Sequence, residues 1–315
     1  MAEDATGRFC AAVCRRIVYV VGKGRSGSTL LDDLLGTVPG VASLGELRLL
    51  WSRGFTPDYR CACGELVSDC PVWSGAVVDA LGSTSTEALA EVEALQGRVL
   101  SWPHVPRLLA RGPGDADRAL GEVLGRLYGS LAARLDADVL VDSSKWPLPP
   151  AAFGVVPGFD AWVLHLVRDP RAVAHSYQRR TGGVGQPELP RFGALHTSLS
   201  WSARNAAAEL SRRPVPAGRF RRVRYEDLVA DPRGTLRSLG EWLGIADADR
   251  AFVDDRTVHL GEAHLVGGNP RRLDRGDVEI NADQEWVAGS TSRRQRVVGA
   301  LTAPLRVRYG YPGSR

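Results

Sequence analysis

A chain of 315 residues has room for one large α/β domain with insertions, or for two modest ones. Its 44% hydrophobic and 24% charged composition is that of an ordinary globular protein, and a formal net charge of +4 excludes a polycation built for nucleic acid. A phosphorylated nucleotide needs only a local cluster of positive charge, which this composition permits. Lys23 and Lys145 are the only lysines among 40 basic residues, a bias expected of GC-rich, bacterial coding. Each invites inspection, because a mobile ammonium and a rigid guanidinium fork do different jobs.

In chain order, the apolar run Ile17–Val21 predicts a strand that ends at Gly22. It is too short for a membrane span, and its flanks do not suit a signal peptide, so a cytoplasmic protein is expected. Helical patterns follow over Ser28–Gly36, Thr86–Leu100, Asp117–Leu135, Arg171–Arg179, Leu195–Arg213 and Pro232–Leu243. Further strands are predicted at Val139–Val141, Trp162–Val167 and Phe220–Tyr225. Strands separated by long helical stretches predict an α/β fold, a central parallel sheet with helices on both faces. Residues from about 51 to 115 carry many Gly and Pro and no convincing strand. The chain therefore reads as a single domain over 1–315, with 51–135 an insertion that shapes an acceptor site.

Five cysteines stand at 10, 14, 61, 63 and 70, and a cytosolic location would keep them reduced. Cys61, Cys63 and Cys70 hint at a zinc loop, but paired zinc cysteines are usually two to four residues apart and a fourth ligand is not evident nearby. The sequence alone favours buried or turn cysteines, and no metal site is assigned.

The richest stretch is Gly22-Lys23-Gly24-Arg25-Ser26-Gly27-Ser28-Thr29. A strand runs into a glycine-rich turn and then into a helix, so successive backbone N–H groups and the helix dipole form an anion cradle. Gly22 and Gly27 match a Walker A loop, yet Ser28 stands where that loop has its lysine, which argues against ATP or GTP chemistry. A glycine-rich turn by itself would be weak; the strand–turn–helix context strengthens it. A second motif, Arg168-Asp-Pro-Arg-Ala-Val-Ala-His-Ser176, puts an arginine at a strand end, where open α/β sheets bind ligands, and a serine two turns into the next helix. Alone, it would read as an Arg–Asp surface pair before a helix.

Arg25-Ser26-Gly27-Ser28-Thr29 resembles the 5′-phosphosulfate loop of sulfotransferases that use 3′-phosphoadenosine-5′-phosphosulfate (PAPS), notably carbohydrate and tyrosylprotein members, and Arg168 and Ser176 have the spacing of that family's 3′-phosphate site. The resemblance covers residues 17–50, 139–146, 162–180, 220–232 and, loosely, 264–310. It implies a P-loop-like three-layer fold and PAPS as donor, with 3′,5′-adenosine bisphosphate as product. It also implies donor contacts from Lys23, Gly24, Arg25, Ser26, Gly27, Ser28 and Thr29. Tyr225, in a Tyr-Glu-Asp segment, would meet the adenine, although a tyrosine there is commonly core. Arg271 or Arg272, in Gly-Asn-Pro-Arg-Arg, would close over the 3′-phosphate.

Sulfuryl transfer needs a base on the acceptor hydroxyl and positive charge at the bridging oxygen. Glu46, in Gly45-Glu46-Leu47-Arg48, matches the position where tyrosylprotein and some bacterial members carry a catalytic glutamate, whereas cytosolic and many other members use a histidine; a plain surface carboxylate is the alternative. Lys145, in Val141-Asp-Ser-Ser-Lys145, matches the lysine that serves the sulfuryl or leaving group. Glu46, Lys145 and Arg25 are thus the expected catalytic residues. His165, His175, His259 and His264 are rival bases. The acceptor, a small molecule, glycan or glycolipid, and the oligomeric state are not legible. The inserted segment with Trp51, Trp73, Trp102 and Cys61–Cys70 is expected to form much of the acceptor pocket, where tryptophan can stack on a sugar or aromatic acceptor, although most tryptophans are merely packed. A P-loop small-molecule kinase and a non-catalytic nucleotide-binding protein are the competing readings.

Overall fold

The computed structural model describes residues 15–178, 192–283, 285–288 and 292–311. Cys10, Cys14 and the end of the helix expected at Arg171–Arg179 lie outside them. The elements are β1 (Arg15–Gly22), α1 (Ser28–Leu35), β2 (Val41–Gly45), α2 (Pro71–Leu81), α3 (Thr86–Val99), α4 (His104–Arg111), α5 (Asp115–Arg134) and β3 (Val139–Lys145). They continue with β4 (Phe159–Val167), α6 (Pro170–Ser176), α7 (Ala194–Leu210), β5 (Phe220–Arg224), α8 (Tyr225–Ala230) and α9 (Pro232–Leu243). The hairpin strands β6 (Thr257–Leu260) and β7 (Gly276–Glu279) and the helices α10 (Glu285–Ala288), α11 (Arg293–Leu301) and α12 (Ala303–Arg308) follow.

Five parallel strands form the central sheet in the order β2-β3-β1-β4-β5. β1 is its middle strand, which is why Ile17–Gly22 reads as an unbroken apolar run: both faces are covered. Successive side chains point to opposite faces. Ile17, Tyr19 and Val21 join a core with Trp73, Leu120 and Leu127, while Val18 and Val20 pack with Leu31, Leu34, Leu236 and Leu239. Helices thus cover both faces, giving the expected α/β layers. α5 takes part in the first of these cores, although its sequence lies in the stretch read as an insertion.

This order fixes the site. The register sets Val21 opposite Lys145 and Gly22 opposite Leu166. The loop after β1 is therefore flanked by Lys145 from β3 on one side and Arg168 just beyond β4 on the other.

Several elements were not anticipated. β2 is short and carries Ala42 and Ser43, so it lacks the β-branched signature. α2 lies in the Gly/Pro-rich stretch, but its proline occupies the first turn and Gly82, at φ +75°, ends it, the positions where those residues favour a helix.

β2 ends in a constrained turn. Gly45 has φ +73°, and a Cβ there would lie 2.4 Å from the Val266 carbonyl oxygen, which accepts a hydrogen bond from the Glu46 N–H at 2.6 Å. Glycine alone permits this approach. Gly45→Ala is expected to lower the unfolding free energy by about 1–3 kcal/mol, read as a lower urea midpoint at unchanged slope; an unaltered midpoint would show that the turn carries no such constraint.

Candidate active site

The end of β1 opens onto a cavity of about 1120 Å³. From the loop, Lys23, Gly24, Arg25, Gly27, Ser28 and Thr29 line it. Gly27 caps α1 at φ +92°, and a Cβ on it would lie 2.3 Å from the Tyr225 ring. Only glycine lets Tyr225 pack against the loop. Ser26 instead points inward: it is buried, it is not among the described residues lining the cavity, and its hydroxyl has no hydrogen-bond partner among the described residues.

The centre of the site is a chain of three polar side chains. Lys145 Nζ lies 2.8 Å from Glu46 Oε1 and donates to Ser28 Oγ at 3.0 Å. The lysine missing from the Walker-like loop is thus replaced by one that enters from the neighbouring strand. Lys145 stands at φ +61° and Arg25 at φ +71°, two of the four described non-glycine residues in left-handed backbone. Such strain costs about 1–3 kcal/mol per residue and concentrates at functional sites. Ser144 ties β3 to the turn carrying Glu46: its hydroxyl accepts the Arg48 N–H at 2.9 Å, and its carbonyl accepts Arg48 Nε at 3.0 Å.

Burial by itself pushes the Glu46 carboxyl up. The nearby charges and hydrogen bonds of Lys145 and Arg48 outweigh it, and the net pKa falls below the ordinary glutamate value. Glu46 is therefore an anion at neutral pH, the protonation state a base requires. Lys23 goes the other way. Burial, reinforced by Arg204, lowers its ammonium to about 8. Its Nζ sits 4.9 Å from the Tyr177 ring centroid.

On the other flank, Arg168 is buried, stacks 4.2 Å over the Tyr225 ring and donates to the Arg25 carbonyl at 3.2 Å. Its outer nitrogen holds Asp283 at 3.0 Å, and its buried Nε has no hydrogen-bond partner among the described residues. Ser176 and Arg271 reach the same cavity. Arg272 does not: it is buried beneath, and it donates to the Arg60 carbonyl at 3.0 Å. Of the paired arginines expected over a 3′-phosphate, geometry leaves Arg271.

The histidines sort themselves clearly. His165 is buried against Asn205 at 2.9 Å, His259 is exposed beside Asp277, and His264 faces Cys61 and Cys70. None of these, nor His175, is among the described residues lining the cavity. The histidine that does line it is His196, stacked on Phe192 at 4.2 Å, which the motifs did not single out. Arg48, Arg204 and Asp283 were missed as well. Arg48 belongs to the Glu46 motif but was given no role, Arg204 and Asp283 lie outside the motifs, and arginine abounds in this chain. Trp51 and Trp73 are buried in the core rather than around the acceptor pocket; Trp102, 42% exposed, lines the cavity near Arg204.

A strand–loop–helix cradle with cations on both flanks is the arrangement with which α/β proteins bind phosphate. The family described as "Sulfotransferase family" matches residues 159–249, the span containing Arg168, Ser176 and Tyr225. Carbohydrate sulfotransferase 5 of Mus musculus is 26% identical over 255 residues, covering 72% of this chain and 64% of that protein. The chain thus matches less than two thirds of that relative's length. Omega-hydroxy-beta-dihydromenaquinone-9 sulfotransferase Stf3 of Mycobacterium tuberculosis is 28% identical over 156 residues, 47% of this chain and 35% of that protein. Among solved structures, the sulfotransferase domain from the Synechococcus PCC 7002 olefin synthase aligns over 93% of this chain and 96% of that one, at 21% identity and a TM-score of 0.45. The family match and the sequence relatives support a sulfotransferase family for this chain. Among the described residues, no helix is long and apolar enough to cross a membrane.

Lys145→Met removes the larger of the charges that hold Glu46 down, leaving burial less opposed. The Glu46 pKa is expected to rise, followed by NMR titration of carboxyl-labelled glutamate. An unchanged titration would mean that the pair does not set the charge of Glu46.

Proposed function

We propose that this chain transfers a sulfuryl group from PAPS to a hydroxyl of a small molecule, glycan or glycolipid, with Glu46 as general base. The observation that carries the reading is the Glu46–Lys145–Ser28 chain at the mouth of the phosphate loop. It puts an anionic carboxylate and a loop hydroxyl each within hydrogen-bond reach of one lysine ammonium, the base and cation that in-line transfer to a hydroxyl requires. The cavity, at about 1120 Å³, exceeds the usual range for one small ligand and has room for donor and acceptor together.

The donor fits the residues present. The buried Arg168 Nε lacks a hydrogen-bond partner among the described residues, and the guanidinium already stacks on Tyr225. Arg168, Ser176 and Arg271 would hold the 3′-phosphate, and Tyr225 would meet the adenine. The amides of residues 24–29, with Lys23, Arg25, Ser28 and Thr29, would hold the 5′-phosphosulfate. When bound, PAPS supplies an activated sulfuryl group on a phosphate leaving group. Glu46 accepts the proton of the acceptor hydroxyl as the new bond forms. Lys145, released from Glu46, turns its ammonium to the oxygens on which charge accumulates, with Ser28 orienting it. Asp283 must yield Arg168 to the phosphate, so nucleotide entry exchanges one anion for another at that guanidinium. The relatives named for carbohydrate and for an omega-hydroxy menaquinone derivative support a hydroxyl acceptor on a glycan or lipid. Trp102 and His196 would face it.

Calorimetry on the full chain is expected to show binding of 3′,5′-adenosine bisphosphate that far exceeds that of ATP or 5′-AMP and is lost in Arg168→Ala. Equal affinity for ATP would favour a kinase. Glu46→Gln is expected to keep nucleotide binding and to lower transfer by at least ~100-fold; undiminished turnover would remove Glu46 from the mechanism.

The pH profile of kcat/KM follows from the two shifted groups. Glu46, depressed, stays ionised until pH falls below the ordinary glutamate value near ~4.3, so it produces no acid limb between about pH 5.5 and 8. Lys23 carries its charge below about 8 and loses it as pH rises through that value, so donor capture declines on the alkaline side. An acid limb near ~6.5 would instead point to a histidine base.

A further inference from the structure

We propose that Cys61, Cys63, Cys70 and His264 form a structural zinc site. Each residue offers one ligand atom, and these four atoms all lie within 4.8 Å of one another. Tetrahedral zinc with Zn–S of about 2.3 Å and Zn–N of about 2.0–2.1 Å sets its ligand atoms roughly 3.6–3.8 Å apart. His264 Nδ1 lies 3.7 Å from Cys61 Sγ, inside that range, and 3.3 Å from Cys70 Sγ, a little short of it. A disulfide would consume two of the thiols and leave the third, and the imidazole, without a role.

The one-residue gap between Cys61 and Cys63 departs from common zinc spacing, and the local fold accommodates it. The Cys61 N–H donates to the Glu65 carbonyl at 2.9 Å and the Gly64 N–H to the Cys61 carbonyl at 3.0 Å. This closes a tight knuckle with Gly64 at φ +98°. Cys70 immediately precedes Pro71, at the N-terminus of the eleven-residue α2, where the helix dipole favours a thiolate. Cys61 and Cys70 are buried, and Cys63 and His264 are half-buried. His264 points Nδ1 at the sulfurs, and its Nε2 faces away from them toward the exposed Glu262 carboxylate, 3.7 Å off and beyond hydrogen-bond distance. With three thiolates and one imidazole the site has no open position, which marks it as structural rather than catalytic.

The surroundings say what such an ion would hold together. The Ala62 N–H, inside the knuckle, donates to the Leu265 carbonyl at 3.1 Å, and Arg275 donates to the Ala62 carbonyl at 2.6 Å. Val266, two residues past His264, exchanges backbone hydrogen bonds with Leu44 and Glu46. Zinc would therefore clamp the inserted segment to the strand-like run that seats the base, without itself entering the chemistry.

The test uses the full chain, purified under reducing conditions from the cytoplasm of cells grown with zinc. Metal analysis is expected to find one zinc per chain. Cobalt(II) in its place should give a thiolate charge-transfer band and the visible bands of tetrahedral coordination. Cys70→Ser should lose the metal and melt at lower temperature. His264→Cys should keep it, because four thiolates also satisfy tetrahedral zinc. Folded wild-type protein without stoichiometric zinc, or a Cys61–Cys70 disulfide found by mass spectrometry in that protein, would overturn the proposal. So would metal content that Cys70→Ser leaves unchanged.

Discussion

A buried ammonium held between a carboxylate and a hydroxyl is the contact on which the rest of the site depends. Lys145 and Glu46 are both largely withdrawn from water, with side-chain exposures of 10% and 16%. Withdrawing either charge alone would cost several kcal/mol, so each is sustained by the other. The sheet supplies the geometry, because the parallel register of β1 and β3 brings Lys145 beside the phosphate loop. The turn at Gly45 supplies the other half by delivering Glu46 from the end of β2. The left-handed backbone at Lys145 shows that the fold accepts local strain to aim this side chain.

In the proposed reaction the same pair is also a latch. An ammonium held against the base is poorly aimed at a leaving group, so the bound nucleotide draws the two charges apart. Arg168 repeats the arrangement on the opposite flank, where Asp283 occupies the guanidinium assigned to the 3′-phosphate. Both ends of the donor site therefore exchange an internal carboxylate for a ligand anion.

The sequence disclosed what is local in the chain. The β1 loop could be read because its glycines, hydroxyls and cations are contiguous and a fully buried strand precedes them. Arg168 and Ser176 could be read because a strand end and the first turns of a helix fix their separation. What escaped is what depends on distant segments meeting. His264 reaches the cysteines from some two hundred positions away, so a pattern that lacked a fourth ligand gains one only in three dimensions. Arg272 is indistinguishable from Arg271 in sequence, and one turn of backbone sends it beneath the cavity. Trp51 and Trp73 looked like an acceptor surface because tryptophan is suited to stacking, but their bulk fills the core. β2, without β-branched residues beyond Val41, is a strand because β3 pairs with it and not because its own residues demand one.

The most direct measurement is a crystal structure of the chain with 3′,5′-adenosine bisphosphate. The account predicts the 5′-phosphate against the amides of residues 24–29, the 3′-phosphate against Arg168 with Asp283 displaced, and Lys145 turned away from Glu46 toward the nucleotide. A bisphosphate bound elsewhere, or one bound in this cavity with the Glu46–Lys145 and Arg168–Asp283 pairs intact, would contradict it.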